Sequence, residues 1–423
     1  MKFTIPYFSI IFILFAITSC SSTPLPDSNQ DKIPDDFFGM VGISQTGGEY
    51  RLLNEMGVKW VLKTFYWSEI EKKRNSIDFS GYDELVDTAK SEGKKIIALL
   101  GYETPWLYYP NKEKKYISPD NIPFFLHYVE ETVLHFKDRV DVWQIWNEPN
   151  FMFWKGSRKD FFELSKLTTL KIREIDPNAY IIGGVFWRTP RGFIKDMHKA
   201  GAMENIDGLA FHPYAVDPQG SMQIYDKLLD TLSKINYDGP VWITEMGYPT
   251  RGWYPTKVSL DEQPSYVIKT ITGAAARGAR VLVWYELSDN YNKEEVPAKS
   301  RWNSEDFFGL SYPDYQRKNG AWAYELCARF LPGSAYSSDF PLRENIPKSI
   351  VSFCFLNGES GNNTLILWND KNRLQRVNIK LPATALLHDI STGNSRPLPP
   401  ELEIGKQPLF ITWQGTDLPS LFK

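Results

Sequence analysis

Short apolar segments alternate with amphipathic segments from residue 38 to about residue 290. Between the apolar segments lie stretches of helical periodicity, among them 82–93, 122–137, 158–177 and 262–278. Gly93 and Gly278 stand where a helix C-terminus favours a left-handed residue. Eight apolar segments have the length and composition of strands that are buried on both faces: 38–44, 58–65, 94–102, 140–148, 179–186, 206–214, 240–248 and 279–287.

Eight strand–helix units that close on themselves form a TIM barrel, so we expect an α/β fold with a (β/α)8 barrel over residues 37–333. The alternative is an open doubly wound sheet, which predicts a G-x-G-x-x-G loop after the first strand. Residues 42–50, GISQTGGEY, contain glycines without that spacing. The barrel is therefore the favoured architecture.

The pattern changes after residue 333 to short strand-like segments separated by turn residues. These segments are SIVSFCFL, NTLILWN, LQRVNIKL, TALLHDI and PLFITW. They predict a small all-β, β-sandwich-like domain over residues 334–423. Its expected role is to pack on the barrel, and carbohydrate binding is the second alternative.

The N-terminus, MKFTIPYFSIIFILFAITSC, joins one lysine to an apolar run that ends in small residues and a cysteine. Such a segment is typical of an export signal, here over residues 1–19. Its end resembles the bacterial lipobox, which implies a lipidated Cys20 and a flexible tether over residues 20–36. The expected location is the bacterial cell envelope, lipid-anchored at the outer membrane or cell surface. A plain secretory signal and an uncleaved anchor are the alternatives.

Composition adds two constraints. The net charge of −3 gives no indication of a nucleic-acid partner. The chain is rich in aromatic residues, with 14 Trp, 22 Tyr and 26 Phe. Most of these rings are expected to fill the core, but aromatic faces also stack on the flat apolar faces of sugars.

Two cysteines remain in the body of the chain, Cys327 and Cys354. Export permits a disulfide, but each cysteine lies in an apolar segment that would bury a thiol equally well. We expect two buried thiols. No cysteine or histidine cluster has metal-ligand spacing, so we expect no metal site.

Carboxylates follow two of the predicted strands. Residues 141–150, DVWQIWNEPN, end an apolar strand with Asn147 and Glu148, and the seventh strand ends with Glu245. The carboxyl ends of barrel strands meet at one mouth, where catalytic residues lie. A buried ionisable group is costly without partners, so two such groups at one mouth indicate a site. A carboxylic acid paired with a carboxylate is the requirement of glycoside hydrolysis.

These motifs resemble those of the clan-A glycoside hydrolases, retaining enzymes on a (β/α)8 barrel, and the similarity covers most of residues 38–333. The segment WNEPN resembles the strand-four motif, which implies that Glu148 is the general acid/base and that Asn147 binds the sugar 2-hydroxyl. The segment ITEMGY resembles the strand-seven motif, which implies that Glu245 is the nucleophile. Members like families 39 and 5 are the most similar.

The resemblance implies four further substrate-binding residues. In FHPY, Tyr214 would donate a hydrogen bond to the nucleophile, and His212 would contact the sugar or orient a catalytic neighbour. Trp284 takes the place of the strand-eight tryptophan beneath the −1 sugar, and Trp106 lies in TPWL, which resembles the strand-three element. The chain departs from the clan at the end of strand two, where Lys63 stands and many members carry an arginine that supports the nucleophile.

The expected activity is therefore retaining hydrolysis of O-glycosidic bonds, with β linkages implied by the resemblance. The substrate would be a polysaccharide or oligosaccharide. Two-carboxylate chemistry requires no cofactor, and we expect a monomer whose other partner is the membrane, through its lipid anchor. Two alternatives remain: a transglycosidase that remodels an envelope or exported polysaccharide, and a non-catalytic carbohydrate-binding surface lipoprotein.

Overall fold

A computed structural model of the chain describes residues 32–42, 47–108, 117–252, 257–292, 295–298, 300–338, 347–371, 373–415 and 420–421. The expected signal peptide, Cys20 and residues 21–31 of the tether lie outside these ranges. Among the residues that are described, no helix is both long enough and apolar enough to cross a membrane.

Eight parallel strands close into a barrel in which each strand pairs with the next along the chain and the last pairs with the first. This closure confirms the predicted fold class and excludes the open sheet. All eight predicted strands are present: β1 Phe38–Val41, β2 Trp60–Tyr66, β3 Lys95–Gly101, β4 Val142–Ile145, β5 Ile181–Trp187, β6 Gly208–His212, β7 Val241–Met246 and β8 Val281–Trp284.

Helices surround the barrel, and the four helical stretches predicted from periodicity are confirmed. Gly93 and Gly278 adopt φ of +69° and +75°, as a helix C-terminus requires. The helices within the described ranges are α1 Gly47–Glu55, α2 Trp67–Ile70, α3 Ser80–Ser91, α4 Ile122–Phe136, α5 Arg158–Ile175, α6 Arg191–Lys199, α7 Pro218–Ser233, α8 Gln263–Ala275 and α9 Asn319–Phe330, with 3-10 turns at Pro105–Tyr108, Pro119–Asn121 and Ser304–Asp306.

Alternation along each strand separates two apolar layers. In β8, Val281 and Val283 point into the barrel interior, whereas Leu282 and Trp284 join the layer between the strands and the helices. Successive side chains of a strand point to opposite faces, so this parity decides which residues reach the mouth.

The C-terminal region forms an antiparallel six-stranded sheet in the order β15-β14-β17-β11-β10-β9, with two two-stranded sheets, β12-β16 and β13-β18. The strands are β9 Ala335–Tyr336, β10 Ile350–Leu356, β11 Asn362–Asn369, β12 Gln375–Val377, β13 Ile379–Lys380, β14 Leu386–His388, β15 Ser395–Pro397, β16 Leu402–Ile404, β17 Leu409–Gln414 and β18 Ser420–Leu421.

The large sheet packs on the barrel, as its sequence predicted. One face contributes Phe355, Trp368 and Phe410 to the same continuous core as the barrel helices. The other face, with Leu365 and Trp413, belongs to a separate apolar cluster.

Both cysteines of the body are buried and free, which confirms the expectation of two thiols. Cys327 lies in α9, and Cys354 lies in β10.

Gly247 directly follows β7 and allows a close backbone approach. A Cβ atom at this position would lie 1.8 Å from the carbonyl oxygen of Tyr285. Overpacking against backbone costs about 1–3 kcal/mol or more. We therefore expect Gly247→Ala to lower the free energy of unfolding by at least that amount, measured by urea denaturation.

The matched control is Gly81→Ala in α3, where a Cβ would meet nothing within 4 Å. Gly81 lies in the first turn of α3, so alanine there should leave the free energy of unfolding unchanged or raise it by less than about 1 kcal/mol. Equal stability of the Gly247→Ala variant and the unaltered protein would contradict the close approach.

Candidate active site

Glu148 reaches the mouth on a backbone that has left the regular strand. Trp146 and Glu148 have φ of 60° and 41°, and the Glu148 N–H donates to the carbonyl of Val185 at 2.9 Å. Val185 lies where the pairing of β5 with β6 shifts register, between Gly183 and Phe186. The irregularity in β5 therefore supplies the acceptor that fixes the Glu148 backbone.

A second irregularity, in β7, places two consecutive side chains at the mouth. The pairing with β8 shifts register between Ile243 and Met246. On a regular strand, Thr244 and Glu245 would point to opposite faces. Here Thr244 Oγ1 lies 3.2 Å from His212 Nε2, and Glu245 Oε1 accepts a 2.8 Å hydrogen bond from the Tyr214 hydroxyl.

His212 lies between the two carboxyl groups and is only 1% exposed. Its Nδ1 shares a 2.8 Å hydrogen bond with Glu148 Oε1 and lies 3.8 Å from Glu245 Oε2. One oxygen of each carboxyl group and the imidazole nitrogen all lie within 4.8 Å of one another. Carboxyl groups about 5–5.5 Å apart are the arrangement of retaining glycosidases.

The two carboxyl groups have unlike environments. Burial raises the pKa of Glu148 to about 8. The pKa of Glu245 is raised less, to about 7: burial raises it most, Glu148 also raises it, and His212 and the Tyr214 hydrogen bond lower it. Glu245 is therefore the first of the pair to ionise, and Glu148 retains its proton to higher pH.

Burial lowers the pKa of His212, so its imidazole is neutral at pH 7. A neutral ring has one donor and one acceptor nitrogen. Thr244 can both donate and accept, so His212 can hydrogen-bond Glu148 in either protonation state. Of the two contacts expected for His212, the structure shows the one with a neighbouring carboxyl group, that of Glu148.

Five of the seven residues predicted for substrate and chemistry are brought together at the mouth: Asn147, Glu148, His212, Tyr214 and Glu245. Trp284 and Trp106 are not among them.

Trp284 is fully buried in the layer between strands and helices, so its predicted place beneath the sugar is wrong. Val281 and Val283 point into the barrel, and the next side chain in this alternation is that of Tyr285. The Tyr285 hydroxyl donates to Glu305 Oε2 at 3.2 Å, and its pKa is raised by burial and by nearby carboxylates that include Glu245. A one-residue shift exchanges the two faces of a strand.

Trp106 also lies away from the predicted position. Its indole N–H donates to the Glu71 carbonyl at 2.8 Å, and its ring packs edge-on against Trp67 and Phe124. The aromatic side chain that strand three does supply is Tyr102, which hydrogen-bonds to Asn147. The sequence signal for Tyr102 was its position at the end of the third predicted strand.

Further carboxyl groups at the mouth were not anticipated as site residues. Burial raises the pKa of Glu286 well above its usual range, and the charges of Glu305, Asp289 and Glu245 add to this effect. Glu305 comes from a distant 3-10 turn, so no strand-end pattern could have found it.

Lys63 has acidic neighbours of its own. Burial lowers its pKa, and the charges of Glu69 and Glu49 raise it. Within the described residues, the groups that lower the pKa of Glu245 are His212 and Tyr214.

Glu148, His212 and Glu245 also form the one group of three potential metal ligands in the described ranges. The donor set does not suit a cation. His212 Nδ1 already makes a hydrogen bond to Glu148, and burial favours the neutral form of both acids. Metal ligands must be deprotonated, so we assign no metal here.

Comparison with known proteins identifies the family. Residues 41–290, more than half of the chain, match the cellulase family, glycosyl hydrolase family 5. The chain belongs to this family. It is thus a glycosidase of clan A, as the strand-end motifs implied. No curated protein matches the sequence significantly.

Solved structures of other clan-A glycosidases share the fold. A family 39 glycoside hydrolase from the gut symbiont Bacteroides cellulosilyticus WH2 has a TM-score of 0.73 and 20% identity, covering 90% of this chain and 81% of that one. A family 39 β-xylosidase from Caulobacter crescentus has a TM-score of 0.64 and 14% identity, covering 92% and 98%. The exo-β-1,4-mannosidase of Opitutaceae bacterium strain TAV5 has a TM-score of 0.55 and 17% identity, covering 74% and 62%.

The raised pKa of Glu148 has a consequence for stability. Because the folded protein holds this proton more tightly than the unfolded chain, the stabilisation is complete below about pH 4.5 and is lost as pH rises toward about 8. Glutamine does not ionise, so the Glu148→Gln variant should not lose stability in this way as the pH rises. We expect the variant to match the unaltered protein near pH 4 and to exceed its free energy of unfolding at pH 8 by on the order of a few kcal/mol.

Thermal or urea unfolding across this pH range tests the expectation without any substrate. Glu163→Gln, on the exposed face of α5, is the control for loss of a carboxylate. A constant difference between Glu148→Gln and the unaltered protein from pH 4 to pH 8 would contradict the raised pKa.

Proposed function

We propose that the enzyme is a retaining glycoside hydrolase that cleaves β-linked O-glycosidic bonds of a polysaccharide or oligosaccharide by double displacement. The observation that carries the proposal is the pair Glu148 and Glu245, with carboxyl oxygens within 4.8 Å and unlike surroundings. Inverting enzymes separate the two groups by about 6.5–9.5 Å to admit a water molecule.

In the first step, Glu245 attacks the anomeric carbon while Glu148 transfers its proton to the departing glycosidic oxygen. The product is a glycosyl ester of Glu245, with Glu148 now ionised. In the second step, Glu148 accepts a proton from water, whose oxygen displaces Glu245 from the anomeric carbon. Two inversions give net retention, and each carboxyl group returns to its initial state.

The surrounding residues fit these roles. The Tyr214 hydroxyl stabilises the charged form of Glu245. His212 orients Glu148 through a hydrogen bond from a fully enclosed position. Asn147, 7% exposed beside Glu148, would contact the 2-hydroxyl of the sugar under attack.

The proposed β linkage draws support from two of the similar structures, which are a β-xylosidase and an exo-β-1,4-mannosidase. Their different sugars, together with the cellulase family of the chain, make xylan, mannan and glucan the substrate candidates. Product analysis with acceptor sugars separates hydrolysis from transglycosylation.

The test measures turnover of β-glycans and aryl β-glycosides by residues 21–423. On glycans, we expect Glu148→Gln and Glu245→Gln each to lose at least about a thousandfold in kcat/KM, because each step requires both groups. A 2,4-dinitrophenyl leaving group needs no proton, so Glu148→Gln should still form the glycosyl-enzyme with that aryl glycoside, whereas Glu245→Gln should not.

Glu163→Gln is again the matched control and should retain full turnover. Efficient cleavage by Glu245→Gln would refute the nucleophile, and a product of inverted configuration would refute the mechanism. Oligosaccharide binding without turnover on every substrate would favour the non-catalytic alternative.

We also propose that the chain is exported and anchored by a lipid on Cys20. The support is the N-terminal sequence alone, with its short apolar run and small residues before the cysteine. We expect Cys20→Ser to abolish incorporation of labelled fatty acid in a bacterial host and to leave the protein in the soluble fraction. Unchanged labelling of the variant would rule out Cys20 as the attachment site.

A further inference from the structure

A cavity of about 420 Å³ opens on the C-terminal region of the chain. Its walls come from the residue before β10, the end of β11 and the start of β12. None of the described residues that line it belongs to the barrel, so the cavity is separate from the catalytic mouth. Ligand sites have volumes of roughly 300–1,000 Å³, and this cavity falls within that range.

Three cationic side chains line the cavity: Lys371, Arg373 and Arg376. Arg376 is paired, with its Nη2 2.9 Å from Glu403 Oε1. Lys371 and Arg373 are exposed, and neither forms an ion pair with any residue that the structure describes. The described lining also contains no carboxylate. The cavity therefore presents positive charge that its own walls do not neutralise.

The turn that carries two of these cations is held by a buried amide. Asn369, at the end of β11, is 1% exposed. Its Oδ1 accepts a 2.9 Å hydrogen bond from the Lys371 N–H, and its Nδ2 donates to the Arg373 carbonyl at 2.9 Å. The Asn369 N–H donates to the Gly405 carbonyl at 2.7 Å. The backbone of both cations is thus fixed, and they are presented together on one turn.

Asp370 is the acidic residue closest to these cations in the sequence. Its Oδ1 accepts a 2.7 Å hydrogen bond from the indole of Trp368, and that ring belongs to the core shared with the barrel. The Asp370 N–H donates to the Ser349 carbonyl at 2.9 Å. Asp370 does not line the cavity, so its carboxylate is engaged elsewhere.

Neutral groups complete the cavity walls. Ser349 Oγ donates to Gln375 Oε1 at 3.3 Å, and Leu374 is 74% exposed. Cations, hydrogen-bonding groups and an apolar surface in one concave site match a ligand with an anionic group, hydroxyls and an apolar C–H face. An acidic sugar residue has all three features. A planar membrane surface cannot enter a concave site, so the sugar is the better match.

The catalytic mouth has the opposite charge. It contains Glu286 and Glu305 in addition to the pair Glu148 and Glu245. Burial raises the pKa of Glu286, and the charges of Glu305 and Glu245 add to this effect. A carboxylate on a sugar beside these groups would meet like charge. Acidic sugars are therefore better accommodated at the cavity of the C-terminal region than at the mouth.

We propose that this cavity is a non-catalytic binding site for acidic sugar residues. Lys371 and Arg373 contact the carboxylate or sulfate group, and Leu374 contacts the C–H face of the sugar ring. The substrate polysaccharide then carries acidic residues in addition to the neutral residues at which the mouth cleaves. This statement about the substrate rests on the proposed function, whereas the binding site itself does not.

The test is titration calorimetry of residues 21–423 with two tetrasaccharides, β-1,4-linked glucuronate and cellotetraose, which differ only at C6. We expect at least about tenfold tighter binding of the glucuronate at about 50 mM salt, and weaker binding at about 300 mM salt, because salt screens exposed charges. The double variant Lys371→Ala/Arg373→Ala should weaken glucuronate binding at least about tenfold, because both charge-assisted hydrogen bonds are lost. Glu148→Gln, at the mouth, should leave this binding unchanged.

Two controls separate the site from a general effect of charge. Lys371→Arg/Arg373→Lys keeps both cations and should retain most of the affinity. Arg396→Ala removes an exposed cation of β15, outside the cavity, and should bind glucuronate as the unaltered protein does. Equal affinity for the two tetrasaccharides, or unchanged affinity in the double alanine variant, would overturn the site. Binding to phosphatidylglycerol vesicles without binding to the glucuronate would overturn it in favour of a membrane surface.

Turnover distinguishes failure of the site from failure of the proposed function. On glucuronoxylan, compared with its carboxyl-reduced form, the double alanine variant should lose any preference for the acidic polymer that the unaltered protein shows. Its turnover of aryl β-glycosides should not change. Glucuronate binding without turnover of any glycan would uphold the site while the hydrolase proposal fell. Turnover of glycans without glucuronate binding would overturn the site and leave the hydrolase proposal standing.

Discussion

Glu148 and Glu245 are held where water cannot solvate both of their charges. This desolvation is the largest influence on the pKa of each group, and it acts in the same direction on both. What distinguishes them is their neighbours: His212 and the Tyr214 hydroxyl lower the pKa of Glu245, whereas burial accounts for the raised pKa of Glu148. These two neighbours thus separate the pKa values of two buried acids, which is what the proposed division into proton donor and nucleophile requires.

That arrangement requires departures from regular strand geometry. A regular β7 could not present Thr244 and Glu245 to the same cavity, and the shift in its pairing with β8 allows both to reach His212 and Tyr214. The corresponding shift in β5 places the Val185 carbonyl under the Glu148 N–H. Irregular pairing at a barrel rim commonly re-aims a side chain in this way.

The sequence predicted the barrel well because its strands are buried on both faces and read as continuous apolar runs. For the same reason the sequence does not show which side chains point into the barrel and which point toward the helices, because a continuous apolar run has no polar–apolar alternation. Trp284 was therefore assigned to the site by its place in a motif, and Tyr285 is the residue that points inward. Glu305 could not be found, because only the folded chain brings that turn beside the strand ends. The carboxyl pair was found because a charged residue after an apolar strand is conspicuous.

The barrel and the C-terminal sheet share one apolar core, so the chain cannot be cut between them without exposing buried side chains. Phe355, Trp368 and Phe410 pack into the same cluster as the barrel helices, and Lys269 of α8 donates to the Lys406 carbonyl at 2.8 Å. Helix α8 connects β7, which carries Glu245, to β8, which precedes Tyr285. It therefore contacts both the barrel and the C-terminal region. A cut at residue 333 would remove Phe410 from the ring of Phe330 in α9, 6.1 Å away, and would remove the acceptor of Lys269 in α8. Barrel and sheet therefore share one apolar core, and neither part of this chain would keep all of its buried surface without the other.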